Sequence, residues 1–129
     1  MAVTHSTAAQ NAATDAVTAL IGASGNLVFR LSGTIGAPGT AVATLPLSAT
    51  AFGASSSGVA TANAITSDTN ATGNASAVAN ASLQTSGATL VIHVAVAASA
   101  SDINMTNGLT VAAGDTVSCS SLTYQALSA

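Results

Sequence analysis

The sequence predicts a mainly β protein, an antiparallel β-sandwich (jelly-roll-like) or barrel, with one N-terminal α-helix. Three observations carry this. After Gly25, apolar residues recur with period two; the alternating stretches are short and bounded by Gly-, Asn- and Ser-containing turns; and one alanine-rich stretch with helical spacing precedes them all. A chain of 129 residues fits a single domain spanning 1–129, with an arm at 1–5, a helix at 6–22 and a β-domain at 26–125.

The helix is expected from Thr7 to Ile21, where Gly and Pro are absent and alanine, the best helix former, recurs. Val17, Leu20 and Ile21 combine with Ala9, Ala13 and Ala16 into a narrow apolar stripe, leaving Asn11 and Asp15 toward solvent. Ser6 or Thr7 can cap the start, Gln10 sits in capping-box register with Thr7, and Gly22 is the stop. Leu27, Phe29 and Leu31 then alternate with Val28 and Arg30 as a half-buried strand, and 33–39, with Gly36, Pro38 and Gly39, reads as a loop. Ala41 to Leu47 is the second strand, with Ala43, Leu45 and Leu47 on one face; Pro46 cannot donate to a ladder and marks a strand end or sheet edge.

Val59 to Ile65 and Ala75 to Leu83 alternate in the same way, the latter placing Ala77, Ala79, Ala81 and Leu83 on one face. Leu90 to Ala98 is the strongest strand: Leu90, Ile92, Val94 and Val96 line one side, Val91, His93 and Ala95 the other. Asn107-Gly108, between Ile103–Thr106 and Leu109–Val111, is a strong short-range hairpin signal, and Thr116 to Tyr124 forms the last strand.

Charge is nearly absent. Charged residues make up 4 % of the sequence: Arg30 is the one basic side chain besides two histidines, and the acids are Asp15, Asp68, Asp102 and Asp115. Ala (31), Ser (17) and Thr (18) together supply 66 of the 129 residues. A mean hydropathy of +0.59 and a net charge of −3 argue against disorder, which goes with low hydrophobicity and high charge. One arginine cannot neutralise the several phosphates that dominate nucleic-acid binding, so no nucleic-acid partner is expected. No membrane span is expected, since no apolar run approaches the ~18–20 residues one needs, and the start lacks the pattern of a signal peptide. Cys119 stands alone, which excludes an internal disulfide. The Asn-x-Ser/Thr triplets at Asn70, Asn74, Asn80 and Asn104 read as composition rather than glycan sites. The small side chains predict a thin core over a folded surface of about 6,000 Å², with stability gained from contacts with a partner or a second copy.

Nothing in the sequence spells catalysis. His93 is read as a satisfied, sheet-packed histidine, because no local motif joins it to Cys119, a serine or an aspartate. His5, His93 and Cys119 are too scattered for a zinc site, and Ile103 and Met105 break the oxygen-rich run of a calcium loop at Asp102 and Asn104. Gly22–Gly25 has no lysine and is a helix stop rather than a phosphate loop. No enzyme activity, no catalytic, cofactor-binding or metal residue and no cofactor is therefore assigned. Arg30 has two readings: a solvated strand residue, or an interfacial anchor to a partner's carboxylate. The aspartates are turn residues.

The opening Met1-Ala2-Val3-Thr4-His5-Ser6-Thr7-Ala8-Ala9-Gln10-Asn11-Ala12 resembles the start of a group of small tailed-bacteriophage virion proteins. The resemblance continues through Leu27-Val28-Phe29-Arg30, Ala43-Thr44-Leu45, Ala51-Phe52-Gly53, Gly58-Val59-Ala60-Thr61-Ala62, Ser67-Asp68 and Gly114-Asp115-Thr116-Val117-Ser118. It implies a head decoration (capsid cement) protein on the outer surface of the head. Its partners would be the major capsid protein and other copies of itself, in a dimer or higher cluster. A tail or fibre component that contacts the host surface is the alternative. Interface candidates are Val3, Thr4 and His5 in the arm, and Arg30.

Overall fold

The computed structural model describes residues 3–128; Met1 and Ala2 of the expected arm lie outside them, as does Ala129. The elements run α1 (Thr7–Ala19), β1 (Asn26–Arg30), β2 (Gly33–Thr34), β3 (Ala37–Pro38), β4 (Ala41–Pro46), β5 (Val59–Thr61), β6 (Asn80–Gln84), β7 (Leu90–Ala97), β8 (Ile103–Asn104) and β9 (Thr123–Gln125). Five of the strands form one sheet in the order β4-β1-β6-β7-β8, curled into a half barrel; it is antiparallel except at the short β7–β8 contact. Two-stranded ribbons β2–β3 and β5–β9 complete a β-rich fold with one helix.

The helix begins where Ser6 caps it, its Oγ accepting from the Ala9 N–H at 3.2 Å. Since the cap is Ser6, Gln10 falls one residue late for the capping box expected with Thr7. Leu20 is the C-cap and Gly22 follows at φ +70°, so the helix is shorter than 6–22. Its buried positions are Thr14 and Thr18, whereas Leu20 is 66 % exposed; Ile21, just past the helix, reaches the core. Asn11 and Asp15 do not face solvent: Asn11 Oδ1 accepts the Gly58 N–H at 2.7 Å and Asp15 Oδ1 the Ser55 N–H at 2.9 Å. Thr14 Oγ1 donates to the Gly58 carbonyl at 2.6 Å and accepts the Ala126 N–H at 3.1 Å. Residues 11, 14, 15 and 18 share one helix face by the 3.6-residue period. That face meets the 55–58 turn, whose backbone groups need polar partners, and an alanine stripe would have stranded them.

The core lies on one face of the large sheet. Leu27 pairs with Leu45 and Leu83, Phe29 with Ala43 and Ala81, and Leu83 with Ile92, so these side chains stack in rows across the strands. Ile21, Leu47, Phe52, Ala60, Val111 and Val117 close over them.

Where side chains are small, strand pairing stops short of the alternating pattern. The stretch expected from Ala75 pairs as a strand only from Asn80, leaving Ala77 and Ala79 exposed; Val59 to Ile65 forms a strand only over Val59–Thr61, with a single bridge from Ala62 to Phe52 beyond it, and Thr116 to Tyr124 only at its end, with a single bridge from Val117 to Asp68 before it. The 33–39 loop is closed by a two-residue ladder. The Asn107-Gly108 hairpin does not form: β8 pairs in parallel with Val96 and Ala97, while the Leu109 and Val111 carbonyls accept from Val78 (2.8 Å) and Asn74 (2.7 Å). Burying an alanine or threonine gains little at ~25 cal/mol per Å², so in these segments backbone hydrogen bonding, not apolar alternation, sets the path. Gly73, at φ +68°, passes so close to the Ala112–Ala113 backbone that a Cβ would collide with it. The exposed surface, 6615 Å², exceeds the compact expectation, in keeping with the wholly exposed β2–β3 ribbon.

The β4 edge is closed. Outside it the Thr44 N–H donates to Asp68 Oδ2 at 2.9 Å, the Val42 carbonyl accepts from Gly73 at 3.0 Å, and the Pro46 carbonyl accepts from Thr66 at 2.9 Å. A crossing segment and one carboxylate thus occupy the groups that a free edge would offer to another protein.

Candidate functional site

The sheet face opposite the core is polar. Register puts Arg30 opposite Asn80, Val28 opposite Ser82 and Ser82 opposite His93, all on one side. Arg30 is only 9 % exposed, which overturns its reading as a solvated strand residue. Its guanidinium donates from Nε to Ser82 Oγ (3.1 Å), from Nη1 to the Gly39 carbonyl (2.8 Å) and from Nη2 to Gln84 Oε1 (2.8 Å). Ser82 is fully buried, and Asn80, Gln84 and Val28 nearly so. The rigid guanidinium fork suits this work, because one side chain serves three acceptors, two on β6 and one in the β3–β4 turn. It joins β1, β6 and the end of the β2–β3 ribbon.

All three acceptors are neutral. The four carboxylates are used elsewhere, each on backbone N–H groups: Asp15 on Ser55, Asp68 on Thr44 and Asn70, Asp102 on Ala95, and Asp115 on Ala112. The protein's scarce charges are therefore spent on its own backbone and buried amides. Among the described residues no group of three His, Cys, Asp or Glu side chains is placed to hold a metal ion. No helix among them is long and apolar enough to cross a membrane.

His93 departs from its expected satisfied state: its Nδ1 is buried with no hydrogen-bond partner, as is Oδ1 of Asn80 on the same face. Among the described residues, β8 covers only Val96 and Ala97 on the outer side of β7. Asp102 Oδ2 accepts the Ala95 N–H at 3.1 Å, and before that point the outer side of Leu90–Val94 carries no paired strand. A neutral, β-branched edge strand of this kind is a template for another protein.

Val3 and Thr4 are exposed and His5 is half-buried and engaged, all on the segment leading into α1. Arg30 sits apart from them, its hydrogen bonds going to β6 and Gly39. Its partners Ser82 and Gln84 lie 52 and 54 residues further along, and no motif links them; the only sequence sign is that Asn80, Ser82 and Gln84 share one strand face.

A cavity of about 540 Å³ opens between segments 102–111 and 115–123, with Phe29 at its base and Asp102, Asn107, Asp115 and Cys119 in its lining. Burial pushes the Cys119 thiol above the usual range, and Sγ donates to the Ser121 carbonyl at 3.4 Å. A thiol held protonated is a weak nucleophile, and both nearby carboxylates are engaged by backbone N–H groups.

Comparison of the protein with family models, curated proteins and solved structures returned no match.

Proposed function

We propose that this protein is a bacteriophage capsid decoration protein that binds the outer head and stabilises contacts between major capsid subunits. The reading rests on the sequence resemblance described above. The observation that carries it in the fold is the scarcity and engagement of charge: Arg30 is buried on internal acceptors, and each of the four aspartates accepts a backbone N–H. The surface that remains carries little charge, with Asp102 and Asp115 exposed on it, and is rich in small side chains, which approach a neighbour closely and lose little rotamer entropy. The open stretch of β7 and the exposed Val3-Thr4 arm are the segments best suited to contact a capsid subunit or another copy of the protein.

Imaging of virions at a resolution that traces the backbone tests the location, and comparison of heads with and without the protein tests the role. Heads lacking it should burst at a lower temperature than complete heads. Equal robustness removes the stapling role, and density confined to the tail replaces it with a tail or fibre role.

A further inference from the structure

We infer that Asn107 is a site of spontaneous succinimide-mediated modification, which converts it to aspartyl and isoaspartyl forms in the folded protein. The reaction needs three things: a main-chain nitrogen free to attack, a carboxamide free to be attacked, and no side chain on the following residue to block the approach. The main-chain nitrogen of Gly108 attacks Cγ of Asn107 and loses its proton. The new C–N bond closes a five-membered imide, and the bond from Cγ to the carboxamide nitrogen breaks to release ammonia. Water then opens the imide at either carbonyl. Opening at Cγ leaves a side-chain carboxylate and the main chain running through the α-carbonyl, the aspartyl form; opening at the α-carbonyl leaves the carboxylate on the α-carbon and the main chain running through the β-carbonyl, the isoaspartyl form.

Asn107 meets all three requirements. Of the eight asparagines it is the one followed by glycine. Asn107 and Gly108 are both exposed, Gly108 has φ +110°, and a Cβ there would meet nothing. Neither the Asn107 carboxamide nor the Gly108 N–H makes a hydrogen bond of good geometry among the described residues. Failure of the expected hairpin is what leaves this turn unpaired.

Each of the other asparagines is held back. The side chains of Asn11, Asn63, Asn74 and Asn104 are engaged in hydrogen bonds, to Gly58, Thr50, Ser76 and Ser101 respectively. Asn26 and Asn80 lie in paired strands. Asn70 is exposed, but the N–H that would attack it, on Ala71, is bonded to the Asp115 carbonyl at 3.0 Å.

The product places a new carboxylate in the lining of the cavity that already holds Asp102 and Asp115. It takes the net charge from −3 to −4, since one neutral amide becomes one anion.

The test is to incubate the folded protein in mildly alkaline buffer at physiological temperature, follow it by isoelectric focusing, and map peptides by mass spectrometry with isoaspartyl detection. A band one charge more acidic should accumulate, the modified fraction at Asn107 should exceed that at the other seven asparagines together, and Asn107→Gln should not give the band. Unfolding in urea should raise the share of modification at Asn70 relative to Asn107, because it frees the Ala71 N–H. An acidic band that persists in Asn107→Gln overturns the assignment, as does an intact Asn107 under conditions that convert a free Thr-Asn-Gly-Leu peptide. An Asn70 share unchanged by urea overturns the protective role given to the fold.

Discussion

Replacing Arg30 with alanine removes the donor from three acceptors at once. Ser82 Oγ and Gln84 Oε1 lie in residues that are 0 % and 8 % exposed, so water cannot readily replace the guanidinium there; the Gly39 carbonyl is better solvated and counts for less. Leaving a buried acceptor without a partner costs about 1–3 kcal/mol, and two such losses give roughly 2–6 kcal/mol. Part of this is returned, because the folded state no longer has to bury a cation that lacks a carboxylate partner. A net loss of about 2–4 kcal/mol follows, and a loss of about 3 kcal/mol would lower Tm by roughly 10 °C in a domain of this size. Urea unfolding of the wild type, Arg30→Ala, Arg30→Met, Gln84→Met and the Arg30→Met/Gln84→Met double variant measures it. Arg30→Met should cost nearly as much as Arg30→Ala, since shape without donors does not help Ser82 or Gln84. The double variant should cost less than the sum of its singles by about 1 kcal/mol or more, because neither partner is then stranded. A loss below about 1 kcal/mol for Arg30→Ala, or strict additivity in the cycle, would mean that the guanidinium is solvated and the network contributes nothing. Any assembly defect of Arg30→Ala must also be judged against this loss of stability before Arg30 is credited with a contact.

Thr14→Val keeps the shape of a fully buried side chain but strands the Gly58 carbonyl and the Ala126 N–H, so urea unfolding should show a loss of about 1–3 kcal/mol. Asp68→Ala uncovers the Thr44 N–H on the β4 edge; a loss of about 1–2 kcal/mol should be accompanied by concentration-dependent association in light scattering, which Asp68→Asn should largely prevent. The Cys119 thiol is pushed up by burial, so the unfolded state releases its proton first as pH rises. Its contribution to stability is full below the ordinary thiol range, near pH 8.5, and is lost as pH climbs through the raised value. Stability measured across that alkaline window should fall less steeply in Cys119→Ser, and alkylation of native Cys119 should be slower than after unfolding in urea.

Period-two patterning was legible wherever large apolar residues carried it. Leu27, Phe29, Leu45, Leu83 and Ile92 were placed correctly on strands and on the core face, because a strand that turned them outward would forfeit most of its burial. Alanine stretches misled for the converse reason. Ala77 and Ala79 alternate as well as Ala81, yet only Ala81 is buried. The helix was located but its face was misjudged, since Val17, Leu20 and the alanines outweighed Asn11, Thr14 and Asp15 in an apolar count while the polar set faces the 55–58 turn. Asn107-Gly108 carried the local signal of a hairpin without the long apolar flanks to hold one. The setting of Arg30 needed tertiary information, because two of its three acceptors, on Ser82 and Gln84, lie 52 and 54 residues further along.

Composition and periodicity were enough for a small, nearly uncharged, strand-rich protein with one helix at its start. Hydrophobic patterning is a local property, and it is strong wherever the side chains are large. The destination of the few charges was not contained in the sequence. Whether Arg30 met solvent, a partner's carboxylate or its own sheet depended on strands β1 and β6 coming together in register across fifty intervening residues. A hydrogen bond between such distant segments is fixed by the packing of everything around it, and no spacing along the sequence encodes it.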